Sequence, residues 1–400
     1  MSFVRFTSYL WAAGLILLFS LCLHAQDTRS IKLGSKQQYI ETMSDFITLK
    51  LALTSDLETF SVYSGDIRYQ INPNAATITT ISINYSFISA TFRFTPRFFP
   101  NNSDTDEKGK TKSLGFGLNL YLDHWLQELS YGRTKGYYLD NTSDFTPGWQ
   151  EGDLYIQFPN LLYKGFQGTT GYKCNRNFSL NAISTQSERQ LKSAGSFIPQ
   201  IHYRYYLTDD RTRLETPNQS SQKARNLELL AGAGYYHNFI MKKNFNVALG
   251  LTPAAGFLFM NFTTRNANNS TINSRQRDLI VRVDARAGLG YNGERIFGGF
   301  YTSAFTSSYE QENSHVINGN SRIFFKLFLG YRISALSIVK EKQSNISSRI
   351  TNKGAQTSIT SGNANTTFSR KYNDKIINIK AMKKLPGQLF PLIPKISKQV

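Results

Sequence analysis

Arg282, Asp284 and Arg286 are spaced two residues apart in the stretch Asp278 to Asn292, and Leu279, Val281, Val283, Ala285, Ala287, Leu289 and Tyr291 fall between and around them. In an extended chain successive side chains point to opposite faces, so one wall of this segment is apolar and the other charged. The same alternation assigns Asp66, Arg68 and Gln70 to one face of a strand, Arg93 to another, and Gln200, His202 and Arg204 to a third, with Glu228 on a fourth. Near the end of the alternating region, Arg322, Lys326 and Arg332 stand opposite Ile323, Phe325, Leu327, Leu329 and Tyr331. If these polar faces surround a lumen, its lining candidates are Arg68, Arg93, His202, Arg204, Arg282, Asp284, Arg286, Arg322, Lys326 and Arg332, and cations dominate. Rings of Arg and Lys favour anions electrostatically, which is the chemistry of an anion-preferring pore or transporter. The same residue types also pair with one another and with Tyr to fill a barrel that conducts nothing.

Acid–base and metal chemistry have less support. Beyond the N-terminal apolar run the histidines are His124, His202, His237 and His315, and no two are placed as i, i+4 metal ligands. No G-x-S-x-G nucleophile elbow occurs. His202, between Gln200 and Arg204, is the best acid or base available, but a hydrogen-bonded interior histidine is by far the readier reading. No metal, no cofactor and no enzymatic activity are expected, and a membrane-embedded hydrolase is the weakest of the readings.

The elements that must position these residues are strands. A membrane-spanning strand needs about 9 to 11 residues and favours aromatic rings at the interface, and Asp278 to Asn292 meets both conditions. Strands are expected at Glu58 to Ile71, Thr77 to Tyr85, Phe87 to Thr95, Ser113 to Tyr121, Trp125 to Leu139, Asn175 to Ser187, Ser193 to Leu207, Arg225 to Asn238, Asn244 to Phe262, Asp278 to Asn292, Arg295 to Tyr309 and Ser321 to Ile333. This makes an all-β, transmembrane, antiparallel up-and-down barrel of about 12 strands, as the sum of those spans. Phe46 to Thr54 alternates as well but breaks the even strand number, and is read as a periplasmic or lumen-lying segment. Fourteen strands is the alternative, if Ser64-Gly65-Asp66 splits the first. Long and short connections then alternate along the chain, with the long ones outside. The longest, 140–174, carries Trp149, Phe158, Phe166 and Tyr172 and is the best candidate to recognise a partner.

The ends of the chain set its compartment. Arg5 precedes an apolar run from Leu10 to Leu23, and Leu23-His24-Ala25 offers a cut before Gln26, so 1–25 reads as a cleaved secretory signal. The expected layout is signal 1–25, periplasmic or lumen segment 26–57, barrel 58–333 and tail 334–400. That tail holds twelve Lys and Arg against Glu341 and Asp374, a net of +10 out of the formal +19 of the chain. Its Ser/Thr/Asn-rich middle and its prolines build no core, so it reads as a disordered basic C-terminal extension that could touch anionic lipid or an acidic periplasmic partner. Nucleic acid is a poor partner for an exported chain.

Between Tyr39 and Ile333 the sequence resembles an uncharacterised Bacteroidota family of outer-membrane β-barrels known as a domain of unknown function. The resemblance rests on Tyr69-Gln70-Ile71-Asn72-Pro73-Asn74, Lys135-Gly136-Tyr137-Tyr138-Leu139, Asn177-Phe178-Ser179, Gln190-Leu191-Lys192-Ser193-Ala194-Gly195-Ser196 and Gly330-Tyr331-Arg332. It implies the outer membrane of a Gram-negative bacterium, contact with its lipid, and handling by the barrel assembly machinery. It brings no activity and no catalytic residues. The functional expectation is a structural or plugged barrel whose outer loops bind a partner, with the small anion-preferring pore as the alternative.

Overall fold

The structure is a computed structural model of the 400-residue chain. It describes residues 38–335 except 56–57, 65–66, 76, 100–101, 103, 215–219, 243 and 311–316. The expected signal, 1–25, and the basic tail from 336 onward lie outside the described residues.

In chain order the strands are β1 (Ile40–Thr42), β2 (Phe46–Thr54), β3 (Phe60–Ser64), β4 (Ile67–Asn72), β5 (Ile78–Tyr85), β6 (Ile88–Phe94), β7 (Lys112–Tyr121), β8 (Trp125–Leu139), β9 (Gln157–Tyr172), β10 (Glu188–Gln190), β11 (Ala194–Asp210), β12 (Ser220–Lys242), β13 (Phe245–Asn266), β14 (Thr271–Asn292), β15 (Ile296–Glu310) and β16 (Ile317–Ser334). Two single-turn helices join them, α1 (Thr105–Lys108) and α2 (Asn181–Ser184). No described helix is long and apolar enough to cross a membrane.

The wall runs β2-β5-β6-β7-β8-β9-β11-β12-β13-β14-β15-β16 and returns to β2, a closed antiparallel barrel of twelve strands. Closure matters because an open edge would leave unpaired N–H and C=O groups in hydrocarbon, where no water can satisfy them. Alternation decides the faces. Leu49, Leu51, Ile81, Ile83, Phe116, Leu118, Leu249, Leu251, Leu327 and Leu329 point outward and stay exposed, forming an apolar band for lipid. Thr48, Ser82, Asn84, Gln200, His202, Glu228 and Thr252 point inward and are buried.

Two of the twelve expected strands are replaced. Glu58 to Ile71 is not the first wall strand, because the chain reverses after Ser64 and folds into the β3–β4 hairpin, in which Phe60 pairs with Ile71 and Ser64 with Ile67. Each arm is too short to span. The first strand is Phe46–Thr54, registered against both β16 and β5, so the barrel begins twelve residues before the expected 58. Its lipid-facing leucines and its inward Thr48, Lys50 and Ala52 are the reason. Likewise Asn175 to Ser187 is not the sixth strand; Gln157–Tyr172 is, hydrogen-bonded to β8 and β11. Its alternation is masked by glycines. A Cβ on Gly168 would stand 2.4 Å from the Tyr203 ring, so the residue is small to admit an aromatic neighbour.

The hairpin sits at the end away from the short turns. Its Phe60 and Ile71 pack with Tyr137, Leu161 and Tyr163 of the wall. Gly136 at φ +90° makes a bulge in β8 between Lys135 and Tyr137, and a Cβ there would meet the Lys110 carbonyl oxygen at 2.1 Å. Asn74 fixes the same rim by donating to the carbonyls of Asp104 and Gly109 at 2.9 and 2.7 Å.

Candidate functional site: a basic chamber above a closed floor

The short links 86–87, 122–124, 243–244 and 293–295, and both ends of the wall, lie at one end, while the other end carries the longer links 95–111, 140–156 and 211–219 besides the four-residue turn 267–270; the first is the periplasmic end of a bacterial barrel. One link at that end is long. From Lys173 to Lys192 the chain turns back into the barrel and is buried there: Phe178 is fully buried with Tyr121, Leu126, Ile198 and Tyr236, and Ser179, Asn181, Thr185, Gln186 and Ser187 are all buried. β10 pairs with β1, so the chain on its way to the first wall strand adds a second layer. Arg189 of β10 donates from Nε to Glu41 of β1 at 2.7 Å.

Inward polar residues hold this floor. Gln190 donates to the carbonyls of Asn177 and Lys192 at 2.7 and 3.0 Å, and its Oε1 accepts from the Ser179 N–H at 2.8 Å. Lys50 donates to the Ser184 carbonyl and, at 3.1 Å, to Gln186 Oε1. Arg332 is fully buried and donates to the carbonyls of Gln186 (2.6 Å), Glu294 (3.0 Å) and Gly293, and to Asn292 Oδ1 at 2.5 Å. A buried guanidinium is tolerable because its fork of donors is satisfied by fixed carbonyls. At the rim, His124 Nδ1 lies 2.8 Å from the Lys173 carbonyl while Arg176 Nε donates to His124 Nε2 at 2.6 Å. That pair of contacts assigns the neutral imidazole with its proton on Nδ1. Burial holds its pKa below the ordinary histidine value; the hydrogen bond to the Lys173 carbonyl opposes this, the cationic Arg176 and Lys173 add to it, and Asp123 opposes it least.

Above the floor is a chamber in two lobes of about 400 and 280 Å³, which share Ser130, Gln167, Arg204, Arg282, Arg286 and Ser303. The first lobe is also lined by Lys50, Glu128, His202, Glu228 and Lys326, the second by Glu58, Arg93 and Asp284. Arg282 is held between Asp284 (2.9 Å) and Glu228 (3.2 Å). Arg204 pairs with Glu58 at 2.5 Å, bonds Tyr163 Oη at 3.0 Å and lies over the Tyr206 ring. Arg286 differs, since no carboxylate lies within ion-pair distance among the described residues; its guanidinium stands 5.9 Å from the Tyr236 ring and feels Glu128 and Asp284 at longer range. His202 is buried, contacts Thr169 Oγ1 through Nδ1 at 2.9 Å, and leaves Nε2 without a hydrogen-bond partner.

The structure thus gathers Arg93, His202, Arg204, Arg282, Asp284, Arg286 and Lys326 around one space. Arg68 is not among them; it is exposed on β4 of the outer hairpin, because the strand that was to carry it inward turns back. Arg332 faces inward but belongs to the floor. Arg322 lies on β16 opposite Phe305, and its side chain is outside the described residues. Lys50, Glu58 and Glu128 were missed. Lys50 was legible, since Phe46 to Thr54 alternates, whereas Glu58 enters the lumen only because the hairpin folds back. The outer link does not present the aromatic set expected of it: Phe158, Phe166 and Tyr172 are in β9, and Trp149 packs on Tyr155 and donates to the Leu154 carbonyl at 3.1 Å. No group of three or more metal-ligating side chains occurs among the described residues.

A closed barrel with an apolar outside, a polar inside and most of its short turns at one end is an outer-membrane β-barrel protein. A family model described as "Domain of unknown function (DUF4421)" matches residues 26–333, and the chain belongs to that family. A search of curated proteins found no match. Similar solved structures include the outer membrane protease OmpT from Escherichia coli (11% identity, TM-score 0.30, 73% of this chain and 98% of that one). Others are LpxR from Salmonella typhimurium (9%, 0.32, 71% and 99%) and the beta domain of the Bordetella autotransporter BrkA (11%, 0.30, 72% and 100%). The expectation that the chain is no enzyme is corrected on this point: barrels similar to it include a protease, so the absence of a familiar motif does not exclude catalysis.

Proposed function

We propose that this protein is a plugged outer-membrane barrel that receives a small anionic ligand in a dead-end chamber and does not act as an open pore. The floor carries this reading: the Lys173 to Lys192 link is built into the lumen by buried hydrogen bonds rather than laid across its mouth. Arg286 supplies a charge with no direct ion pair among the described residues, and His202 Nε2 an unsatisfied polar atom in the same chamber. The anion-preferring pore keeps one argument, the cationic wall of Arg204, Arg282 and Arg286, but needs the floor to move. Liposome swelling with a monosaccharide separates the two. Purified protein is expected to give the rate of empty liposomes, and swelling at the rate of an open porin would overturn the plugged reading.

A further inference from the structure

On the lipid-facing side, cross-strand register aligns Phe92, Phe116, Tyr131, Phe166 and Tyr205 in one row across five strands, β6 to β9 and β11. All five rings are exposed. Directly above, away from the periplasmic turns, Leu114, Arg133 and Lys164 form the next row, and Lys112 faces Lys135 in the one beyond. Their neighbours Ser113, Thr134 and Tyr163 line the inner chamber, so alternation sends Lys112, Arg133, Lys135 and Lys164 outward. None of the four has a hydrogen-bond or ion-pair partner among the described residues.

Two like-charged pairs stand opposite each other here, Arg133 against Lys164 and Lys112 against Lys135. Such pairs repel, and among the described residues no carboxylate pairs with them. Their place is also informative: from Trp125 to Arg133 strand β8 passes outward-facing Trp125, Tyr131 and then Arg133, which is the order interfacial aromatic, interfacial aromatic, headgroup. A partner that fits has an apolar body against the aromatic row and a compact anion above it. We propose that Lys112, Arg133, Lys135 and Lys164 form a binding site for the phosphate groups of a glycolipid of the outer leaflet. A second copy of this chain is a poor occupant, since it would bring the same positive charges. A free phosphate would leave the aromatic row uncovered.

The site is on the outside of the wall and is independent of the chamber. Its test uses the full chain in zwitterionic nanodiscs doped with a bisphosphorylated, acylated glucosamine disaccharide or with the same lipid lacking phosphate, with retained lipid read by native mass spectrometry. The intact protein is expected to retain the phosphorylated lipid preferentially. The double variant R133Q/K164Q should lose that preference by about tenfold or more, at roughly one kcal/mol per cation near a lipid surface. K112Q/K135Q should do the same if the first variant fails to fold, and K242Q at the periplasmic end should not. Equal retention of both lipids, a folded double variant with unchanged preference, or self-association that excludes lipid would each overturn the assignment.

Discussion

Arg282 and Arg286 lie four residues apart on one face of β14 and do different work. Arg282 is neutralised by Asp284 and Glu228, both largely buried, so its removal strands two carboxylates. Arg282→Gln is expected to destabilise the barrel by about 2 to 4 kcal/mol, less than a fully dry pair because the chamber admits water, read as a shift in the urea refolding midpoint. Arg286→Gln breaks no ion pair and should leave that midpoint nearly unchanged; a shift as large as that of Arg282→Gln would show that the two are structurally equivalent. Gly136 is the corresponding backbone case. Gly136→Ala puts a side chain at φ +90° and into the Lys110 carbonyl, so about 1 to 3 kcal/mol of stability should be lost in the same titration. His124 gives a pH dependence. Its folded pKa is below the ordinary value, so the unfolded chain binds the proton more readily, and stability is complete above about 6.5 and falls as the pH drops below it. Proteolysis of the 173–192 link should accelerate at pH 5 relative to pH 7.5, and His124→Gln should flatten that difference.

Among the elements, those that build the floor and shape the outer rim carry the sequence segments of the family resemblance. Phe178 and Ser179 are wholly buried in the floor, Gln190 ties it together, and Arg332 clamps it to the last strand. Asn74 and Gly136 shape the outer rim. The wall was readable because Leu, Ile and Phe alternate with polar residues, as in Ile81 and Ile83 about Ser82. The two exchanged strands were not, for physical reasons. Glu58 to Ile71 changes phase at Ser64-Gly65-Asp66, from Phe60 and Val62 to Ile67, Tyr69 and Ile71, but only tertiary packing decides whether that break is a kink in one strand or a hairpin turn. Gln157–Tyr172 hides behind glycines that yield to Tyr rings. Asn175 to Ser187 is polar because it is buried among the polar inner faces of a barrel, an environment where composition resembles that of a surface strand. Gln190→Ala should loosen the floor without dismantling the wall, detected as faster cleavage within 173–192 while heat-modifiable migration of the barrel is retained. Loss of both together would show that floor and wall fold as one unit.

For the whole molecule, alternation predicted an anion-favouring lumen, and seven of the ten residues it named gather around one chamber. The exceptions are Arg68, which turned out with its hairpin, Arg332, which went into the floor, and Arg322, whose side chain is undescribed. Periodicity assigns a face; it does not reveal what the lumen is filled with, and the floor is made by a link rather than by a strand. The central claim is that this link is a built seal. Planar-bilayer conductance tests it by comparing the intact chain with one in which 175–190 is replaced by a short Gly-Ser link. The intact protein should be silent and the shortened one should conduct with anions preferred over cations, a preference that Arg286→Glu should weaken. Steady conductance by the intact protein, unchanged when the link is removed, would contradict the account.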